Sequence, residues 1–244
     1  MDSIFGITGK DWVILASDSS CMTSGIIVVK SDEDKIYPIG DDKLLACQGK
    51  DPDRVRFCEY IQRNMALSGL RESHKQTAHS VACFVRNELA YATRNGPYEV
   101  NTLIAGVTEL PKANIKYPKI KDITNDDAED IEIVDENVEE EDEDEDSCAS
   151  MYCVDCYGAL QRVRYAAQGY GSLFTLGLMD HKWRKNMSFE EGLELIKACI
   201  VESQTRMATH CPKYIIKAIK KGEGISVIES PGLPNALPPF HPFN

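Results

Sequence analysis

The sequence predicts a single α+β domain whose antiparallel sheets are covered by helices on the outside. Its strand and helix patterns come in clusters: several strands, two helices, more strands, two helices and final strands. Clustering of this kind favours antiparallel sheets with helices packed on their outer faces. The 244 residues are 43% hydrophobic, which is enough for one substantial core, and the chain has no repeat period.

The first part of the chain is rich in strand signals. Residues 3–8 and 12–17 carry β-branched and aromatic side chains and are separated by Gly9-Lys10-Asp11, which predicts a hairpin. Residues 26–29 form a short continuous apolar run, typical of a strand covered on both faces. Two further strands are predicted at residues 35–39 and 44–48.

Four helices are predicted from apolar residues at helical spacing. The first begins at Asp51-Pro52-Asp53, where acidic residues and a proline suit a helix start, and the second spans residues 77–92. The third follows Gly169-Tyr170-Gly171-Ser172, and the fourth opens with Ser188 and Glu191 in a capping-box pattern. The remaining strands are predicted at residues 99–107, as a pair in 150–167 broken at Gly158, and at 214–219 and 225–228.

One segment accounts for the acidity of the chain. The formal net charge is −12, but residues 122–146 hold sixteen acidic residues and no lysine or arginine. The rest has 23 acidic against 27 basic residues and no footprint for nucleic acid. Such a charge density predicts a disordered insert at about 112–147 within a domain of residues 1–230. Residues 231–244 form a proline-rich tail, predicted to be an extended arm.

The location predicted for the chain is the cytoplasm and nucleus. No apolar run is long enough to cross a bilayer, and the segment from Met1 to Gly6 lacks the features of a secretory signal. The nine cysteines suit that compartment if they stay reduced. Four of them lie in apolar periodic segments and are predicted to be small core residues: Cys47, Cys58, Cys83 and Cys199.

No metal ion or cofactor is predicted. Cys153 and Cys156 have the spacing of a zinc knuckle or redox pair, but Cys148 supplies only one obvious further ligand. The five histidines are scattered, and the acidic run lacks the glycine-punctuated loop of a calcium site. Structural or solvated roles are therefore expected for these side chains.

Six short segments stand in a specific order along the chain: residues 13–18 (VILASD), 34–37 (DKIY), 44–49 (LLACQG), 58–64 (CEYIQRN), 98–101 (YEVN) and 169–171 (GYG). In this order and spacing they resemble β-type subunits of the 20S proteasome, and most closely the non-catalytic fourth β subunit, also called β type 2. The resemblance covers nearly all of residues 3–229 except the acidic insert. It implies the N-terminal-nucleophile hydrolase fold, a four-layer αββα sandwich with two antiparallel sheets between helix pairs.

The resemblance also implies where a catalytic nucleophile would stand. Active members of this threonine-peptidase family use an N-terminal threonine, freed by cleavage of a propeptide, whose own amino group helps to take the proton. Asp18 resembles the family's catalytic aspartate, and counting back from it places the nucleophile position at Asp2. A carboxylate is a poor nucleophile for peptides, and we expect no propeptide before it.

Other parts of the family's site are matched unevenly. Lys35 resembles the lysine that lowers the pKa of the nucleophile, and Gly49 resembles the glycine whose N–H serves the oxyanion hole. Tyr170 stands where the family has a helper serine, and residues 206–210 do not match the later aspartate–serine pair. Retention of Asp18 and Lys35 has a structural explanation, because a buried ion pair is costly to break on one side.

Three functions are compatible with these residues. The first is a non-catalytic structural β subunit of the 20S core that supports ATP- and ubiquitin-dependent protein degradation. Its partners would be the third and fifth β subunits, the opposite β ring and the α ring, in an assembly of twenty-eight subunits. The second is an active hydrolase that uses Ser3 after processing. The third is an adaptor that recruits basic partners through the acidic insert.

Overall fold

The computed structural model describes residues 2–23, 27–72, 75–108, 147–207 and 213–228. The predicted insert and proline-rich tail therefore lie mostly or wholly outside the described residues. Within these ranges the strands are β1 Ser3–Thr8, β2 Trp12–Asp18, β3 Cys21–Thr23, β4 Ile27–Lys30, β5 Ile36–Pro38, β6 Lys43–Gly49, β7 Val100–Val107, β8 Ala149–Val154, β9 Leu160–Arg162, β10 Tyr165–Gly169, β11 Tyr214–Lys220 and β12 Gly224–Ile228. The helices are α1 Asp51–Arg71, α2 Ala78–Asn95, α3 Ser172–Lys182 and α4 Phe189–Arg206.

Two five-stranded antiparallel sheets lie face to face between two pairs of helices. One sheet has the strand order β10-β1-β2-β11-β12, and the other has the order β5-β6-β7-β8-β9. Helices α3 and α4 cover the first sheet, and α1 and α2 cover the second. The predicted α+β class and the four-layer αββα sandwich are confirmed.

The central strands of each sheet are largely buried on both of their faces. Along β1, Phe5 and Ile7 pack toward α4, whereas Ile4 packs between the two sheets. This alternation follows from the two-residue period of a strand, which sends neighbouring side chains to opposite faces. The six residues of β1 and the seven of β2 are all buried, because a layer covers each face.

The predicted helix starts are found in the structure. The Ser188 hydroxyl accepts a hydrogen bond from Glu191 N, and the Glu191 carboxylate accepts one from Ser188 N, so the capping box that begins α4 is complete. Thr77 caps α2 by accepting from Ser80 N. Helix α1 begins at Asp51 as predicted, with Pro52 in its first turn, where no hydrogen bond is lost.

The prediction that residues 26–29 form a strand covered on both faces is wrong. Among the described strands, β4 lies outside both main sheets and pairs with β3 alone, in a two-stranded ribbon. Its side chains Ile27 and Val29 are 64% and 65% exposed. Within the part of the chain that the structure describes, no other layer covers the apolar side chains of β4.

Residues 150–167 form three strands where a pair was predicted. Strands β8 and β9 pair with each other around the turn at Gly158, whereas β10 pairs with β1 in the opposite sheet. The chain changes sheets between Arg162 and Tyr165. A second correction concerns Cys83, which was predicted to be a core residue and is only partly buried, on α2.

The strands begin and end at two opposite sides of the sandwich, which are called its edges below. The start of β1 and the ends of β2 and β6 share one edge, because Ile4 pairs with Ser17 and Gly49 N contacts the carboxylate of Asp2. The opposite edge holds Val107 and Ala149, which are paired where the chain leaves for the acidic insert and returns from it. No helix among the described residues is long and apolar enough to span a membrane.

Candidate functional site

A cluster of charged side chains lies at the edge where β1 begins. Asp2 immediately precedes β1, Asp18 ends β2, Lys35 precedes β5 and Gly49 ends β6. All four residues were predicted from the resemblance. Antiparallel pairing of these strands brings them together from positions far apart in the chain.

Lys35 is the centre of the cluster. Its ammonium nitrogen Nζ lies 2.8 Å from Asp2 Oδ1, 2.9 Å from Asp18 Oδ2 and 2.8 Å from the carbonyl oxygen of Ser20. The Lys35 side chain has no solvent exposure. Three acceptors therefore match the three donors of the ammonium group, which is the arrangement that a buried lysine requires.

The two carboxylates act on the lysine and on each other. Burial tends to lower the pKa of Lys35, but attraction to Asp18 and Asp2 outweighs burial and raises it. Burial raises the pKa of Asp18 despite the opposing charge of Lys35, and the nearby Asp2 carboxylate adds to this effect. Asp18 also accepts hydrogen bonds from Ser3 N at 2.7 Å and Ser20 N at 3.2 Å, so it is held from both sides.

The Asp2 carboxylate also contacts the backbone of Gly49. Gly49 N donates to Asp2 Oδ2 at 3.2 Å, while the other Asp2 oxygen accepts from Lys35. Gly49 has a φ of +149°, and a Cβ there would lie 2.1 Å from the carbonyl oxygen of Glu99. Only glycine fits this close approach, so the position of the N–H is fixed by the backbone.

The backbone of Asp2 is held by the turn that precedes α3. Tyr170 N donates to the carbonyl oxygen of Asp2 at 3.2 Å. The Tyr170 side chain, predicted to stand at the helper-serine position, is 53% exposed. Tyr170 therefore reaches the cluster through its backbone N–H.

Ser3 points away from Lys35. Its hydroxyl oxygen accepts from Gly171 N at 3.1 Å and lies 3.6 Å from the sulfur of Met207, on the side of the sheet that faces α3 and α4. Asp2 and Ser3 are neighbours in an extended segment, so their side chains point to opposite faces. Ser3 is also completely buried. The predicted aspartate–serine region at 206–210 lies mostly outside the described residues.

A second charged cluster was not predicted from the sequence. Arg54, on α1, is 1% exposed and donates to Asp51 Oδ1 at 2.7 Å and to the Tyr37 hydroxyl at 2.9 Å. Its guanidinium also lies 3.4 Å from Glu33. Cys21 Sγ donates to the other Asp51 oxygen at 2.9 Å. The only sequence signal is the spacing of Asp51 and Arg54 on one helix face, which is common on exposed helices.

Replacing Asp51 with asparagine should make Cys21 more reactive. The hydrogen bond to the Asp51 carboxylate, with burial adding to it, raises the pKa of Cys21 to about 11. Because the thiolate is the nucleophile, the Asp51→Asn variant should react with iodoacetamide at least about 10-fold faster at Cys21 at pH 8.5. Peptide mass mapping measures the rate. Asp53→Asn is the control, and equal rates in the two variants would contradict the prediction.

The remaining candidate ligands do not come together. Cys153 lies in β8 and Cys156 in the turn beyond it, whereas the strand pair predicted in residues 150–167 and broken at Gly158 would have held both. Cys153 Sγ accepts from Gln168 Nε2 at 3.1 Å, and both cysteines are free thiols. Within the described ranges, no group of three or more histidine, cysteine, aspartate or glutamate residues is placed to hold a metal ion.

Comparison with known proteins matches this chain to a family over most of its length. The proteasome subunit family matches residues 2–117 and 143–219. The chain belongs to the proteasome subunit family. The gap between the two matched parts, residues 118–142, covers most of the acidic segment.

Individual relatives agree with the predicted β type. Proteasome subunit beta type-2-A of Arabidopsis thaliana is 35% identical over 221 residues, which are 91% of this chain and 90% of the relative. Proteasome subunit beta type-4 of Saccharomyces cerevisiae is 35% identical over 230 residues, 94% of this chain and 98% of the relative. Proteasome subunit beta type-2 of Dictyostelium discoideum is 34% identical over 228 residues. The predicted resemblance to 20S proteasome β subunits is confirmed.

Proposed function

We propose that this proteasome β subunit is a non-catalytic, structural member of its ring. The observation that carries the proposal is the position of the Asp2 carboxylate, which binds both Lys35 Nζ and Gly49 N. In an active site of this kind, the lysine assists a hydroxyl nucleophile and the glycine N–H stabilises the oxyanion of the transition state. Here one resident carboxylate occupies both groups, so neither is available to a substrate.

The contacts of Ser3 argue against the alternative in which its hydroxyl is the nucleophile. The hydroxyl faces Gly171 and Met207, and the Ser3 backbone N–H is bonded to Asp18. To reach Lys35, Ser3 would have to turn to the opposite face of the sheet. A one-residue shift of β1 would bring it there, but would also move Phe5 and Ile7 out of their core and Ile4 into it.

The role that follows is to complete the ring beside catalytic subunits. The neighbours we propose are the third and fifth β subunits, with further contacts to the opposite β ring and to the α ring. The assembled particle degrades proteins, whereas this chain contributes part of the chamber wall and contacts with the neighbouring subunits. The cytoplasmic and nuclear location stays a prediction, as does recruitment of basic partners by the acidic segment.

The proposal is tested on a purified proteasome core that contains this chain. A peptide carrying an electrophile for N-terminal hydroxyl nucleophiles should label catalytic subunits and leave this chain unmodified, as judged by intact mass. A core assembled with the Ser3→Ala variant should keep each peptidase activity at its original rate. An adduct on Ser3, or a mature chain that begins at Ser3, would overturn the proposal.

A further inference from the structure

The charged cluster is built from one fixed carboxylate and one at its rim. Asp18 is completely buried and accepts from Lys35, Ser3 N and Ser20 N. Asp2 is 7% exposed, so its side chain reaches the surface of the cluster. Removing the Asp2 side chain would therefore open the space beside Lys35 to solvent, while Asp18 would remain in place.

Two hydrogen-bond donors face that space from different elements. One is Lys35 Nζ, 2.8 Å from Asp2 Oδ1, and the other is Gly49 N, 3.2 Å from Asp2 Oδ2. They hold the two oxygens of a single carboxylate, one oxygen each. An ammonium group and a backbone N–H aimed at one point favour an anion, and a charge-assisted hydrogen bond of this kind is among the stronger ones.

The balance of donors and acceptors also favours a hydrogen-bond acceptor in this space. Without the Asp2 carboxylate, Lys35 and Asp18 would form a neutral pair, with one N–H of the ammonium left without its acceptor. Both donors are positioned by groups other than Asp2: Lys35 by Asp18 and the Ser20 carbonyl, and Gly49 by its close approach to Glu99. The donors should therefore stay in place after the side chain is removed.

We propose that Lys35 and Gly49 N form a receptor for a small monocarboxylate, which the Asp2 side chain fills from within the chain. Once that side chain is removed, the receptor takes formate or acetate from solution. This inference rests on the proposed function, because both assign the space between Lys35 and Gly49 to a resident carboxylate instead of a substrate. Formate fits best, since it adds the least volume beyond the two oxygens.

The test is thermal unfolding of the full-length Asp2→Ala variant in sodium formate and in sodium chloride at equal ionic strength. Formate should raise the melting temperature of this variant saturably by about 2–4 °C over chloride, the shift that a moderate binding free energy gives in a chain of this size. Acetate should act at higher concentration, and benzoate, which is too large, should act as chloride does.

Three matched proteins decide what the shift means. The wild-type chain and the Asp2→Asn variant keep the space filled, and Ser3→Ala alters the neighbouring side chain on the other face of the sheet. None of the three should respond to formate more than to chloride. A formate effect of equal size in Asp2→Ala and in these controls would overturn the inference, as would its absence in Asp2→Ala.

Poor folding of Asp2→Ala still gives a result. In that case the yield of soluble chain after refolding in formate is compared with the yield in chloride, and a gain confined to formate supports the receptor. Equal yields count against it. A labelled Ser3 in the proteasome core would refute the proposed function and, with it, the filling of this space by Asp2, whereas a missing formate effect without such labelling would refute only the receptor.

Discussion

Replacing Lys35 with methionine should lower the free energy of unfolding by about 3–5 kcal/mol, because it removes the shared partner of two buried carboxylates. Asp2 and Asp18 both lie within 2.9 Å of Lys35 Nζ. Methionine has a similar length but no charge, so it fills the space without satisfying either carboxylate. Denaturant unfolding at pH 7 measures the loss.

Lys217→Met is the matched control for this change. Lys217 Nζ lies 2.5 Å from Asp34 Oδ2 and 2.6 Å from the carbonyl oxygen of Ile36, but the Asp34 side chain is 47% exposed. Water can therefore solvate Asp34 after the substitution, and the expected loss is about 1–2 kcal/mol. Combining Lys35→Met with Asp2→Asn and Asp18→Asn should recover part of the larger loss. Equal losses at the two lysines would contradict the prediction.

The Lys35 cluster should also affect how the free energy of unfolding changes with pH in alkaline solution. The carboxylates raise the pKa of Lys35 above its usual value of 10.5, although burial opposes them. A lysine whose pKa is raised on folding stabilises the protein fully below pH 10.5, and this contribution is lost as the pH rises through the raised value. As the pH rises above 10.5, the free energy of unfolding should therefore fall more steeply for the wild-type chain than for Lys35→Met.

Replacing Gly169 with alanine should cost about 3–4 kcal/mol, from left-handed backbone strain together with overpacking. Gly169 has a φ of +79°, and a Cβ there would lie 1.9 Å from the carbonyl oxygen of Asp2. The start of β1 would have to move, which would carry the Asp2 carboxylate away from Lys35. The change should therefore affect both the fold and the charged cluster.

Gly222→Ala isolates the steric part of this effect. Gly222 also has a φ of +79°, but a Cβ there would meet nothing within 4 Å. It should cost only about 1–2 kcal/mol, the strain of a left-handed residue with a side chain. Both variants are compared by chemical denaturation at one pH. If the two alanines cost the same, the close approach of Gly169 to Asp2 does not limit stability.

The sequence was sufficient for the four helices, most of the strands and the members of the charged cluster, but for different reasons. The hairpin at residues 9–11 and the Ser188 capping box are local signals, and both are present in the structure. Asp2, Asp18, Lys35 and Gly49 share no local pattern, and only the family resemblance connected them. They come together because strands that are dozens of residues apart in the sequence pair with each other. Hydrophobic periodicity is a local signal and does not predict such pairing.

The features that were not predicted from the sequence depend on which parts of the folded chain pack against a residue. The apolar run in β4 would look the same if another layer covered it, so its exposure could not be read from the residues. The buried Arg54 takes its partners from α1, from the residues before β5 and from β5 itself. Only the partner on its own helix, Asp51, leaves a recognisable spacing. Buried charge pairs between separate elements have no periodic signature.

The described residues that flank the acidic insert are held together by the sheet itself. Val107 and Ala149 are paired across β7 and β8, and Thr108 N donates to the carbonyl oxygen of Cys148 at 2.9 Å. Closing a loop costs only about 0.6 kcal/mol for each doubling of its length, so the hairpin can carry a connection of almost any length. This edge is opposite the one that holds Asp2 and Gly49. The connection is therefore a natural insertion point for an affinity handle or a fluorescent domain.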